Sequence, residues 1–329
     1  SDVCSSDLLK ETDCYTSASV GIAIYPLDST SASILLRNSD IALYNAKSSG
    51  RKNIKCFESG MNLRAQRRHL VATQLRRALE FNELSLVFQP LLDLKQGCIC
   101  GAEALLRWEN PTLGQVSPVE FIPIAEETGL IVSIGDWVIE AACRQLHRWR
   151  LALSQPFTLA INLSSRQFKT TRLADVVAVA LSRYDIPPHQ LELEITESLL
   201  LDDQPATLSL LQQLRHMGLR LSIDDFGTGY SALSYLRRFS LDILKIDRSF
   251  INDLSDNPES RALVRAIILM AHELRLQVIA EGIETEAQLK FLASQGCDYG
   301  QGFFFSAGLT PDAFFDYALR QPVCHINRP

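Results

Sequence analysis

The chain has 329 residues, of which 47% are hydrophobic and 21% charged, and its formal net charge is −6. The small acidic excess and the lack of a long basic run argue against nucleic acid as the main partner, and no apolar run reaches the roughly 18 residues of a membrane span. With no signal peptide, the sequence predicts a cytoplasmic chain. It begins without methionine, so a longer parent protein carrying a membrane or sensor segment is compatible with it.

The cysteines and histidines do not favour a zinc site. There are eight cysteines and six histidines, but no Cys-x-x-Cys and no His-Glu-x-x-His, and Cys98 and Cys100 are only two positions apart. Reduced, mostly buried thiols are expected.

The N-terminal stretch has a featureless beginning and then a short α+β pattern. Residues 1 to 14 show no pattern and are expected to be disordered or foreign to the native protein. Strands are predicted over Val20–Pro26 and Asn53–Phe57, on either side of an amphipathic helix over Ser33–Ser48. A helix over Asn62–Asn82 is predicted to lead into the main domain. The pieces before it are too few to form a stable domain alone.

After Asn82, apolar strands alternate with helical segments. Eight strands over about 240 residues favour a (β/α)8 TIM-like barrel, with a doubly wound open sheet as the alternative. Lys95-Gln96-Gly97 predicts a hairpin after the first strand, so this strand is expected to be antiparallel. The predicted strands are Leu84–Leu94, Ile99–Trp108, Phe157–Leu163, Leu191–Ile195, Leu219–Ile223, Ile243–Ile246, Val278–Ala280 and Gly302–Phe305. The predicted helices are Pro118–Glu127, Asp136–Leu153, Leu173–Arg183, Pro205–Met217, Ser231–Phe239, Glu259–Leu274, Glu286–Ser294 and Pro311–Leu319.

One predicted strand, Leu219–Ile223, ends in two adjacent acids and a glycine-rich turn. Side chains alternate faces along a strand, but at its C-terminal edge Asp224 and Asp225 can still approach one metal cluster from different sides. The structural alternative is a solvated loop with a helix N-cap, and these residues alone do not decide between the two.

Polar residues recur at the ends of the other predicted strands, where a barrel places its chemistry. Several converging carboxylates would repel one another without cations, and oxygen ligands suit Mg²⁺ or Mn²⁺. Two such ions sharing a carboxylate make a site for in-line displacement at phosphorus. The residues are Glu103, Arg107, Asn162, Glu194, Glu197, Asp224, Asp225, Lys245, Asp247, Glu281 and Gln301.

Each of these residues also has a purely structural interpretation. Glu103 could pair with Arg107, and Lys245 with Asp247 at the barrel rim. Glu281 could cap the next helix. Acids at the ends of four strands are nevertheless hard to explain by structure alone.

Ordered motifs from about Leu70 to Arg320 resemble the EAL-domain family of cyclic di-GMP phosphodiesterases. The signature is Glu103-Ala104-Leu105. The other matching motifs are FQP from Phe88, AEETGLI from Ala125, INLS from Ile161, ELEITES from Glu192, IDDFGTGYSAL from Ile223, LKIDRSFI from Leu244, IAEGIET from Ile279 and GQGFFFS from Gly300.

The earlier stretch from Ser19 to Phe57 resembles the C-terminal third of a GGDEF domain, the diguanylate cyclase family. The defining Gly-Gly-Asp/Glu-Glu-Phe loop is absent, so no cyclase activity is expected. The resemblances imply a partial α+β GGDEF fragment over 1–57, a linker over 58–69, a phosphodiesterase domain over 70–320 and a tail over 321–329.

The EAL resemblance also implies roles for matching positions in the hydrolysis of cyclic di-GMP to linear pGpG. Two ions, Mg²⁺ or Mn²⁺, are implied, with Asp224 bridging them, and a homodimer is expected from the family. Glu281 resembles the general base, Lys245 the group orienting the attacking water, and Glu197 the residue holding the Asp225–Tyr230 loop. The implied metal ligands are Glu103, Asn162, Glu194, Asp224 and Asp225. The implied substrate contacts are Gln89, Leu106, Arg107 and Gln301, and Glu284 and Gln301 resemble supporting residues near the metals.

One departure from the family pattern is visible after Phe305-Ser306. The family usually places a basic residue and proline there, and this chain has Ala307 and Gly308, which is expected to weaken affinity. The alternative function is therefore a receptor domain that binds cyclic di-GMP without cleaving it. A structural or protein-interaction role, binding neither metal nor nucleotide, is a third hypothesis.

Overall fold

The computed structural model describes residues 6–9, 12–48, 52–153, 157–170, 172–200, 205–227, 241–255 and 257–322. The chain divides into two compact units, Ser1–Leu75 and Arg76–Pro329. No helix in the described ranges combines the length and apolarity that a membrane crossing requires.

The described residues of the first unit form two small sheets and two helices. Strands β1 (Ser6–Leu9) and β2 (Thr12–Tyr15) pair antiparallel, in the stretch where no element was predicted. Strands β3 (Val20–Ile22) and β4 (Ile54–Cys56) pair parallel, which requires the crossover that helix α1 (Ala32–Ser48) provides. A Cβ on Gly21 would lie 2.1 Å from the backbone nitrogen of Leu43, so glycine allows β3 to pack directly on α1.

The second helix of this unit differs from its prediction. Helix α2 spans Ser59–Leu75, whereas the apolar pattern predicted a helix over Asn62–Asn82. The pattern continues past Leu75, but the backbone changes to turns, and Asn82 adopts a left-handed φ of 56°. A left-handed residue cannot continue a right-handed helix.

The second unit is an eight-stranded closed barrel. Its strands pair in the order β5-β13-β12-β11-β10-β9-β8-β6, and β6 pairs with β5 to close it. Strand β5 is antiparallel to both of its neighbours, β6 and β13, as the hairpin at Gly97 predicted. The strands are β5 (Leu84–Asp93), β6 (Cys98–Asn110), β8 (Thr158–Asn162), β9 (Leu191–Thr196), β10 (Arg220–Phe226), β11 (Ile243–Ile246), β12 (Gln277–Ala280) and β13 (Tyr299–Gly300), and β7 (Gly114–Val116) pairs antiparallel with the last residues of β6.

Helices follow most of the parallel strands. Apolar faces of the longer helices are buried, for example Ile139, Leu146 and Trp149. The helices are α3 (Pro118–Thr128), α4 (Leu130–Ala152), α5 (Ser165–Phe168), α6 (Leu173–Arg183), α7 (Glu197–Leu200), α8 (Pro205–His216), α9 (Arg248–Asn252), α10 (Pro258–Glu273), α11 (Glu286–Ser294) and α12 (Pro311–Leu319). The predicted helix Ser231–Phe239 lies outside the described residues.

The prediction of the last strand was wrong. Strand β13 is Tyr299–Gly300, not Gly302–Phe305. The amides of Phe305 and Ser306 both donate to the carbonyl of Gly302, which makes a turn, and the amide of Phe304 donates to Ile283. The phenylalanine run suggested a buried strand, but Phe303 is 71% exposed.

The expectation of reduced thiols is confirmed for Cys56, Cys100, Cys143 and Cys297, which are free. It is wrong for Cys98, which is disulfide-bonded. Burial raises the pKa of the Cys143 and Cys297 thiols to about 12, which makes both poor nucleophiles.

Candidate active site

A buried lysine lies at the centre of the candidate site. Lys245 on β11 is 1% exposed, and its Nζ lies 2.6 Å from Glu281 Oε1 and 2.8 Å from Glu194 Oε1. Two further carboxylates, Asp224 and Glu103, lie 3.4 and 3.6 Å from the same Nζ. These four acids lie on, or directly after, four different strands, so strand pairing has gathered side chains that are up to 178 positions apart in sequence. The proposed rim pair of Lys245 with Asp247 is replaced by this inward cluster.

The charges in this cluster are distributed unequally. Burial opposes the charged form of Lys245, but the four surrounding carboxylates raise its pKa well above the ordinary value. Burial also opposes ionisation of Glu103, yet the Lys245 ammonium and hydrogen bonds from Gln301 and Asn162 lower its pKa. Glu194 is fully buried beside Glu103 and Asp224, and its pKa is raised well above the usual range. The pocket therefore has more carboxylates than its single lysine can neutralise, which favours cation binding.

The paired aspartates reach the same place because of a β-bulge. The pairing of β10 with β11 shifts register between Ile223 and Phe226, and Asp225 adopts a left-handed φ of 55°. An extra residue in a strand re-aims the side chains around it. As a result Asp224, Asp225 and Glu281 each offer a carboxylate oxygen within 4.8 Å of the others. Burial, Asp224 and Asp247 together raise the pKa of Asp225.

Glu281 combines burial with access to the cluster. Burial raises the pKa of Glu281 to about 7, and the nearby Asp224 and Glu103 act in the same direction, while Lys245 opposes them. A carboxylate with a pKa near neutrality can accept a proton from water at physiological pH.

Three amide side chains organise Glu103. Asn162 Nδ2 donates to Glu103 Oε1 at 2.6 Å, and Gln301 Nε2 donates to Glu103 Oε2 at 2.7 Å. Gln301 Nε2 also lies 3.0 Å from Gln89 Oε1, while Gln89 Nε2 donates to the carbonyl of Ser306 at 3.1 Å. Glu103 does not form the ion pair with Arg107 that was the structural alternative: its two oxygens accept from Asn162 and Gln301, and Arg107 Nη1 donates to the carbonyl of Leu106 at 2.9 Å.

Glu197 holds the turn that follows the aspartates. It is 3% exposed, and its Oε2 accepts a hydrogen bond from the Gly227 amide at 3.2 Å. Residues 228–240, which include the rest of the predicted Asp225–Tyr230 loop, lie outside the described residues.

The remaining predicted residues lie farther from Lys245 or at the rim. Leu106 and Arg107 are half-buried near the end of β6. A Cβ on Gly308 would lie 3.5 Å from Arg107 Nη2, so the departure from the family pattern lies directly beside this arginine. Glu284 is exposed, and its amide donates to Gln288 Oε1 at 2.8 Å.

One buried acid below the cluster was not among the predicted site residues. Glu192 on β9 is 1% exposed and is paired in register with Arg220 on β10. Burial raises the pKa of Glu192, against the opposing effects of Arg220 and Ser222. The period of two along Leu-Glu-Leu-Glu-Ile was the available signal, because it places Glu192 on the same face as Glu194.

Comparison with known proteins decides the family. The EAL-domain family model matches residues 72–307. This chain belongs to the EAL-domain family. A second model, the GGDEF domain of diguanylate cyclases, matches residues 6–53, so part of a GGDEF domain precedes the EAL domain.

Relatives of this EAL protein include two from Pseudomonas aeruginosa. The chain is 47% identical over 287 residues to the bifunctional diguanylate cyclase/cyclic di-GMP phosphodiesterase MucR, covering 87% of this chain and 42% of MucR. It is 42% identical over 303 residues to the cyclic di-GMP phosphodiesterase NbdA, covering 92% of this chain and 39% of NbdA. The chain thus spans about two-fifths of the length of these curated relatives.

A solved structure covers the EAL domain itself. The MucR phosphodiesterase in complex with cyclic di-GMP superposes with a TM-score of 0.72 at 45% identity, covering 74% of this chain and 99% of that one. The closed barrel with its reversed first strand is therefore the EAL fold.

Proposed function

We propose that this chain hydrolyses one phosphodiester bond of cyclic di-GMP and releases linear pGpG. The proposal rests on the cluster of four carboxylates around Lys245 at the mouth of an EAL barrel. Two of these carboxylates, those of Asp224 and Glu281, also lie beside the carboxylate of Asp225. The relatives MucR and NbdA, both described as phosphodiesterases of this nucleotide, support the choice of substrate.

The residues of the cluster fit divalent cations with oxygen ligands. Asp224, Asp225 and Glu281 converge, and the buried Glu194 Oε2 has no hydrogen-bond partner. An unpartnered buried carboxylate oxygen is costly unless a cation or proton satisfies it. Within this proposal Glu103, Asn162, Glu194, Asp224 and Asp225 would hold two divalent cations, Mg²⁺ or Mn²⁺.

The bound ions would supply positive charge that lowers the pKa of water and neutralises the phosphate. Glu281 accepts the proton of the attacking water, since its pKa near 7 leaves much of it ionised at neutral pH. Lys245, 2.6 Å from Glu281, stays charged and orients the groups around it. Water attacks phosphorus, the P–O bond to one ribose oxygen breaks, and the proton that Glu281 took from the water is returned to that leaving oxygen.

Substrate contacts are proposed on the side formed by β5 and β6. Arg107 would bind a phosphate, since a guanidinium forms paired hydrogen bonds with it, and Leu106 and Gln89 would contact the rest of the nucleotide. Gln301 orients Glu103 through its 2.7 Å hydrogen bond and would also contact the nucleotide beside Gln89. We further propose that residues 70–320 form the phosphodiesterase domain, and that it acts as a homodimer.

The direct test is chromatographic. The purified chain is incubated with cyclic di-GMP and Mg²⁺ or Mn²⁺, and pGpG is the expected product, with little formed in Ca²⁺. Glu103→Gln should lower turnover at least 100-fold, whereas Glu273→Gln, which removes an exposed acid at the end of α10, should not. Retained nucleotide binding without product would favour the receptor function, and full activity of Glu103→Gln would refute the proposal.

A further inference from the structure

The five-residue helix α9 contacts the segments that follow two of the site carboxylates. It begins three residues after Lys245, at Arg248. A Cβ on Gly227 would lie 2.9 Å from Phe250 Cε2 and 3.0 Å from Phe250 Cζ, and a Cβ on Gly282 would lie 2.5 Å from Arg248 Cβ. Gly227 comes two residues after Asp225, and Gly282 directly follows Glu281. One short helix is thus packed against both edges of the carboxylate cluster.

Gly227 is held from two directions. Its amide donates to Glu197 Oε2 at 3.2 Å, and the ring of Phe250 covers the side where a side chain would be. Its φ is 96°, and that of Asp225 is 55°, so this turn uses backbone conformations that need support from their surroundings. The hydrogen bond to Glu197 restrains the Gly227 backbone on one side, and the Phe250 ring restrains it on the other.

Both ends of α9 are themselves fixed. At its start, the Asp247 carboxylate accepts a hydrogen bond from the Ser249 amide at 3.0 Å. At its end, the carbonyl of Ile251 accepts from Gln288 Nε2 at 3.0 Å. Gln288 is 5% exposed, and its Oε1 accepts from the amides of Glu284 and Thr285. Through Gln288 the helix is therefore tied to the loop after β12, which begins with Glu281.

We propose that Phe250 is a positioning residue for metal binding, which acts by holding the Gly227 turn and, through it, the Asp225 carboxylate. This inference rests on the proposed two-metal function of the cluster. Phe250 itself would touch neither the metal nor the substrate. Its ring keeps Asp225 within reach of Asp224 and Glu281, so that the cluster is assembled before the ions arrive.

We expect Phe250→Ala to weaken metal binding by more than its effect on the stability of the fold can explain. Without the ring, the Gly227 turn gains room to move, and the ordering of Asp225 must then be done by the metal. The concentration of Mn²⁺ for half-saturation should rise about 10-fold, while the rate at saturating metal falls less. Phe250→Leu, which keeps an apolar side chain against Gly227, should recover most of the affinity.

The control is Leu254→Ala. Leu254 is 1% exposed and lies just beyond α9, so this change removes buried apolar volume from the same connection without removing the Gly227 contact. It should lower the melting temperature at least as much as Phe250→Ala and leave half-saturation by Mn²⁺ within twofold of the unmodified chain.

The experiment is a Mn²⁺ titration of the full chain followed by electron paramagnetic resonance of the free ion, with turnover measured on the same samples. If the unmodified chain binds no Mn²⁺, the proposed function fails. If it binds Mn²⁺ and Phe250→Ala binds equally well, only the positioning role is refuted. Equal weakening by Phe250→Ala and Leu254→Ala would also refute it, because the loss would then reflect destabilisation of the connection.

Discussion

Glu281 Oε1 lies 2.6 Å from Lys245 Nζ, in a pocket where both groups are largely removed from water. The contact opposes the effect of burial on Glu281, whose pKa nevertheless rises to about 7. Two groups of opposite charge thus set the pH at which the base is available.

The first prediction concerns pH. The active form of Glu281 is ionised, and its pKa is raised to about 7, so kcat/KM should level off about one unit above pH 7 and fall about 10-fold per unit well below it. Lys245 lowers the pKa of Glu281, so Lys245→Met should move this limb to higher pH as well as reduce the rate. A pH–rate profile on both proteins checks the direction. An unmoved limb in the variant would mean that another group is titrating.

The second prediction concerns the effect of metal on stability. A ligand that binds the folded state alone stabilises it by about 2.7 kcal/mol at 100 times its dissociation constant. Mg²⁺ or Mn²⁺ should therefore raise the melting temperature, and Asp225→Asn should remove most of the increase, because Asp225 belongs to the convergent acidic group. Calorimetry with and without metal measures both. Asp312→Asn, on α12, is the matched control and should keep the full increase.

The third prediction concerns the rim. Ala307 precedes Gly308, which lies beside Arg107. Ala307→Lys should add a positive charge near the proposed phosphate contact and lower KM about threefold to 10-fold with little change in kcat, more so at low salt. Initial rates at two ionic strengths provide the measurement. A KM that is unchanged at low salt would place Ala307 outside the substrate's electrostatic reach.

The fourth prediction concerns the buried acid beneath the cluster. Burial raises the pKa of Glu192, so the folded state binds the carboxyl proton of Glu192 more tightly than the unfolded state does. As the pH rises above the unfolded-state pKa, the unfolded state releases this proton first, and the free energy of unfolding decreases. Glu192→Gln cannot ionise, so its free energy of unfolding relative to the unmodified chain should increase as the pH rises above the unfolded-state pKa of glutamate. Urea titrations across this range test the sign.

Most of the fold could be predicted from the alternation of strand and helix patterns in the sequence. Leu173–Arg183, Ile243–Ile246 and Glu286–Ser294 have the predicted bounds, because their apolar periods match the geometry in which they are buried. The final strand was predicted wrongly, because the run Phe303–Phe305 has the composition of a strand but forms a turn against Ile283.

The sequence predicted which residues form the candidate site, but not their geometry. Strand ends predicted that the acids converge, and the structure brings Glu103, Glu194, Asp224 and Glu281 around Lys245. The bulge at Asp225 was not predictable, because its left-handed backbone depends on the packing of Gly227 and on register with the next strand. The roles of individual ligands stay predictions.

The reversed direction of β5 has a consequence for how the barrel receives its chain. Because β5 is antiparallel to its neighbours, its first residues lie at the edge where the parallel strands end, and Ser85 is paired with Arg107. In a barrel whose first strand is parallel, the chain enters at the opposite, chemically silent end. Here residues 76–83 lead straight to the reactive edge. A pull or twist along them would reach the proposed phosphate-binding arginine across a single strand pair, without passing through the rest of the barrel.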